Sequence, residues 1–218
     1  MAAENPPRTT PAAAVKALDR WQIYKRAPGV VLGFHGCDAS TGNALLNGEL
    51  NHLAHSRNAY DWLGSGIYFW EADPWRALRW AEDARNNSRL TSKPVKRPYV
   101  VGAIIDPGHC CNLLDFDSCY EATKAFKLLQ STFGISAKSL PENRGGPDGV
   151  LRFRDRLVIE TIHLLRERTR ERSYDSVRAA FPEGDALYDG AGFRARSHIQ
   201  LAVRNPDCIK GYFRLPGL

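Results

Sequence analysis

The apolar positions of the chain change period several times, and each change predicts an element. Residues 30–34, Val-Val-Leu-Gly-Phe, lie between the Pro28-Gly29 turn and Gly36 and read as a short buried strand. Asp38 and Ser40 offer N-caps to a short helix through Ala44, Leu45 and Leu46, ending near Gly48. Gly64-Ser65-Gly66 allows a tight turn before a strand over 67–70. Asp73-Pro74, a capping side chain followed by proline at the first helical position, starts a helix to about residue 86 with Trp75, Leu78, Ala81 and Ala84 toward the core. A buried strand over 99–105 stops at Asp106-Pro107-Gly108. Helical spacing returns over 121–131, through Ala122, Ala125, Phe126 and Leu129, and over 151–168, through Leu157, Val158, Ile162 and Leu165. Residues 197–203 alternate as a strand, Asn205-Pro206-Asp207 turns, and 209–215 form a last strand.

Three stretches stand outside this series. Residues 1–12, rich in Pro, Thr and Ala, predict a flexible tail, and 13–27 a helix through Val15, Leu18, Trp21 and Tyr24. Residues 136–149, with Pro141, Gly145, Gly146 and Pro147, predict a long inserted or mobile loop. Strands separated by helices early and gathered late predict one α+β domain over 13–218.

Composition narrows the setting. The 218 residues suit a single core, and 30 Lys plus Arg against 24 Asp plus Glu leave a net charge of +6. A basic face suits a nucleic acid or a phosphorylated small molecule, though a merely soluble surface accounts for it as well. Five cysteines, with Cys110 and Cys111 adjacent and no CxxC, give neither a disulfide framework nor metal-ligand spacing, so no metal is expected. With no apolar run near the roughly 18 to 20 residues of a membrane span and no basic-then-apolar start, the expected location is the cytoplasm, with no membrane partner. Arginines at 152, 154, 156, 166, 168, 170 and 172 form either a solvated helix face or a phosphate-binding one.

Candidate chemistry gathers at two early strands. The first ends Phe34-His35-Gly36-Cys37, and the second follows Gly64-Ser65-Gly66 as Ile67-Tyr68-Phe69-Trp70-Glu71. Singly, His35 is more often a satisfied core histidine and Tyr68 a half-buried strand aromatic. Together, at this spacing and with flanking glycines, they favour a functional reading. The pair, with a helix directly after it, resembles the histidine-tyrosine branch of the ADP-ribosyltransferases, the poly(ADP-ribose) polymerase-like group. The resemblance covers roughly residues 30–80 and 193–213. It implies a split, mostly antiparallel sheet with flanking helices, NAD as substrate and release of nicotinamide. Small stand-alone members of such a group are often toxins or defence effectors, so an antitoxin or immunity protein joins the acceptor among the implied partners.

Nicotinamide leaves NAD through an oxocarbenium-like state, so the site must hold the ring and amide while the ribose gains positive charge. In that frame His35 bonds the adenosine ribose hydroxyls, the Gly36 backbone reaches the nicotinamide amide, and Tyr68 offers a ring to stack upon. Ser65 sits near the same pocket or merely forms the turn. Asn58, Asp61 and Trp62 line a wall or pack a loop. Cys37 has no activating base and is not read as a nucleophile. The third motif falls on the 197–203 strand, where Gln200 stands in place of the usual acidic residue. Glutamine can accept a ribose hydroxyl but carries no charge and cannot act as a base. His198, two residues earlier on the same strand face, serves either as acid or base or as a structural hydrogen-bond partner.

Three alternatives follow from Gln200. The acceptor is already nucleophilic enough, as a nucleic-acid base or phosphate can be. A carboxylate comes from elsewhere, with Glu71, Glu160, Glu183, Asp185 and Asp189 as candidates. Or the chain binds NAD, ADP-ribose or nucleic acid without turnover. The expected activity is ADP-ribosyl transfer to a macromolecule, RNA or DNA slightly ahead of protein, with NAD hydrolysis as the other enzymatic outcome.

Overall fold

The first strand outruns its apolar segment. In a computed structural model, which describes residues 29–87, 90–91, 93–135, 139–146 and 148–217, β1 spans Val31–Asp38 and carries His35, Gly36 and Cys37 within the sheet. The expected 1–12 tail and 13–27 helix lie outside the described residues. Asp38 caps α1 (Ala39–Leu46), its carboxylate accepting from Ser40 N. Then come β2 (Ile67–Glu71), α2 (Pro74–Asn86), β3 (Pro98–Ile105), β4 (Cys110–Asn112), α3 (Phe116–Ile135), α4 (Phe153–Thr169), β5 (Ser176–Phe181), β6 (His198–Val203) and β7 (Ile209–Arg214).

The strands form one seven-stranded sheet in the order β4-β5-β6-β2-β1-β3-β7, antiparallel throughout except for β4 beside β5. With the helices on its faces this is a single mostly antiparallel α+β domain, the class the pattern predicts. Alternation along the strands divides the core. One face buries Val31, Ile67, Phe69, Leu201 and Val203 with Leu45 of α1. The other buries Val177, Ala179 and Ala202 against Ile159 and Ile162 of α4, and Phe34, Trp70 and Val100 against Ala77 of α2.

Three features depart from the pattern. Trp75 is exposed, and Ala77 takes its place on the inward face of α2 beside the expected Ala81 and Ala84. The reason lies in β1: a Cβ on Gly36 would stand 2.2 Å from the Ala77 carbonyl oxygen, so the helix backbone lies nearly on the strand and only alanines fit. Strands β4 and β5 have no counterpart in the apolar pattern, because β5 carries Arg178 at its centre. The described part of the 136–149 loop is anchored, Asn143 Oδ1 accepting from Arg154 N and Pro141 O from Arg154 Nε.

Candidate active site

The site is built where β1 and β2 part. β1 pairs with β3 along its whole length, but with β2 only at Gly33/Glu71 and Phe34/Trp70. Past that fork the Tyr68 carbonyl meets a side chain instead of a β1 amide: His35 Nδ1 lies 2.7 Å from it. A carbonyl only accepts, so Nδ1 carries the proton and Nε2 keeps its lone pair. Burial holds the His35 pKa below its ordinary value despite that carbonyl, which favours the neutral ring. Phe69 and Trp80 flank the imidazole.

Tyr68 is committed at its polar end. Its hydroxyl donates to Gly64 O at 2.6 Å and accepts from Leu63 N at 2.8 Å, and burial keeps the phenol protonated well above its usual range. The ring packs against the buried cluster that holds Leu63 and Ile159. The turn it ties down is held from below as well. Glu160 Oε1 accepts from Ser65 N at 2.6 Å and sits beside Arg204. Burial alone would raise the Glu160 carboxyl, but these partners outweigh it and lower the pKa. Ser65 Oγ donates to Ser56 O, while Asn58 Nδ2 donates to Ser56 Oγ and Asp61 Oδ1, so these residues brace the loop.

Register puts Gln200 and His198 on the Tyr68 face, whereas His35 alternates to the opposite face with Phe69 and meets Tyr68 only through its carbonyl. Tyr68 lies opposite Ala202, Trp70 opposite Gln200, and Phe181 opposite His198, which makes Tyr68 and Gln200 diagonal neighbours. Gln200 is 8% exposed, and among the described residues its Oε1 has no hydrogen-bond partner. His198 Nδ1 donates to Arg196 O at 2.8 Å, and burial lowers its pKa. Trp62 packs edge-on against Phe181 with ring centres 4.5 Å apart, close to His198, and Arg152 lies over both Trp62 and Phe181. Thus Arg152 of the arginine run joins this aromatic stack.

The alternative carboxylates separate clearly. Glu71 grips Arg178 on the far face of the sheet, Glu160 is spent on the turn, and Asp185 and Asp189 are exposed. Glu183 is buried beside His198, 3.6 Å away, and paired with Arg76 at 2.7 Å. Two neighbours stand outside the motif. Alternation from Tyr68 points to Trp70, whereas nothing local points to Arg76. Burial and the nearby Asp38 carboxylate push the Cys37 thiol up to about 12, so its thiolate is disfavoured. Among the described residues no group of His, Cys, Asp and Glu is placed to hold a metal ion, and no helix is long and apolar enough to cross a membrane.

Compared with known proteins, the chain matches no family model, no curated protein and no solved structure.

Proposed function

We propose that this chain is an ADP-ribosyltransferase that binds NAD at the β1/β2 fork and moves ADP-ribose to a macromolecular acceptor, nucleic acid ahead of protein. The observation that carries the reading is the fork: the strands stop pairing at His35, and the bond from Nδ1 to Tyr68 O leaves the Nε2 lone pair to accept a ribose hydroxyl. Gln200, diagonal to Tyr68 with an unpartnered carbonyl, supports a second contact to a ribose hydroxyl. In the reaction the bond from the ribose carbon to the nicotinamide nitrogen breaks, its electrons leave with nicotinamide, and the acceptor nucleophile forms the new bond. Gln200 supplies no charge and Glu183 is held by Arg76, so the acceptor must bring its own nucleophilicity.

The test is nicotinamide release from NAD by the purified chain, alone and with RNA, DNA or protein. Release that requires one fraction supports transfer and names the acceptor class, and release in buffer alone means hydrolysis. Gln200→Glu is expected to raise release into water; no change would place the ribose elsewhere. A second reading, binding without turnover, draws support from the neutral Gln200 and the committed Tyr68 hydroxyl. It requires calorimetric NAD binding with no nicotinamide released under any condition.

A further inference from the structure

Four polar atoms on the sheet face beside the fork are buried without a hydrogen-bond partner among the described residues: Trp70 Nε1, Arg76 Nε, His198 Nε2 and Gln200 Oε1. They belong to one neighbourhood. Trp70 and Gln200 are opposed across β2 and β6, the Arg76 guanidinium lies 5.7 Å from the Trp70 ring centre, and Glu183 links Arg76 to His198. Two of the atoms can only donate. The other two accept: Gln200 through its carbonyl, and His198 through Nε2, because its Nδ1 proton is given to Arg196 O.

Two surface hollows adjoin this cluster and share Ser197. The first, about 360 Å³, is walled by Phe181 and His198. The second, about 450 Å³, is walled by Trp75, Arg76, Arg79 and Arg196. The Trp75 indole is 76% exposed, an unusual state for so large an apolar ring. Two carboxylates, Asp73 and Asp83, also line this hollow, but Asp73 is occupied in capping α2 through Arg76 N.

We propose that these hollows bind a single-stranded nucleic acid, one base presenting its edge to Arg76, another stacked on Trp75, with phosphates displacing Glu82 from Arg79 and Asp148 from Arg196. A nucleobase has an edge that accepts from Arg76 and a flat face that stacks on the indole, and its backbone supplies the charge, a combination that an acidic stretch of Asp and Glu does not bring. That the bound strand is the ADP-ribose acceptor rests on the transferase reading above; the binding itself does not.

The experiment is fluorescence anisotropy of labelled single-stranded RNA and DNA with the full chain, without NAD, over a range of salt. Trp75→Ala should weaken binding roughly tenfold, as expected for loss of one stacked base. Arg79→Ala combined with Arg196→Ala should weaken it and flatten its salt dependence by about two counterions. These side chains are largely exposed, so unchanged melting curves establish that the variants are folded. Equal binding by parent and variants, or no binding by the parent, overturns the proposal. Residue-dependent binding without nicotinamide release upholds the groove and sinks the transferase reading; NAD turnover with unaltered oligonucleotide binding does the reverse.

Discussion

Gly36→Ala tests whether the glycine beside His35 serves packing or ligand access. An alanine Cβ would stand 2.2 Å from Ala77 O, 3.1 Å from its carbonyl carbon and 3.3 Å from Ala81 Cβ. Carbon and oxygen settle no closer than about 3.3 Å, so α2 must retreat by about 1 Å. The obstacle is backbone, which cannot rotate away. Such a retreat opens the contacts of Ala77 with Phe34, Trp70 and Val100, and the same movement loosens Ala81. Overpacking of this kind costs typically 1 to 3 kcal/mol, and a backbone clash belongs at about 3 kcal/mol. For a chain of this size that lowers Tm by about 6 to 12 °C. Gly134→Ala is the control: it sits in the last turn of α3 with nothing among the described residues within 4 Å of the added methyl, so it should stabilise by up to about 0.5 kcal/mol. Thermal unfolding followed by circular dichroism reads both. If Gly36→Ala melts with the parent while NAD binding is lost, the packing argument fails and the glycine is kept for the ligand.

Two further changes probe buried charge. Glu71 and Arg178 form a two-pronged pair at 2.6 and 2.8 Å with side chains only 14% and 10% exposed, so Glu71→Ala strands a guanidinium and should cost about 3 to 5 kcal/mol in urea unfolding. Adding Arg178→Met should recover much of that loss; a single variant costing under about 1 kcal/mol would show the pair to be solvated. His163 is buried near Arg204 and its pKa falls from 6.5 to about 4. The unfolded chain therefore takes up the proton first, and the stability this neutral ring contributes is complete above pH 6.5 and lost as pH falls toward 4, about 3 kcal/mol in all. The stability of His163→Leu should fall less over that window, and parallel curves for parent and variant would assign the acid sensitivity to other groups.

Much of the scaffold was legible in short-range chemistry. Asp73-Pro74 starts α2, Asp38 caps α1, and the 197–203 alternation becomes β6, because a cap acts over three residues and alternation over two. His35 and Tyr68 could be named as candidates from their joint spacing and flanking glycines, and Gln200 only through the family resemblance. Their surroundings could not. Arg178 reads as a poor strand residue until Glu71, 107 positions away, neutralises it, and Arg76 meets Glu183 across the same separation. The alanine face of α2 follows from a missing Cβ on a different element, and the fork follows from where β1 stops following β2. Local pattern states which face of each element is apolar. Which elements meet, how closely, and which polar atoms are left facing one another depend on contacts between residues far apart in the chain, and those exist only once the sheet has assembled.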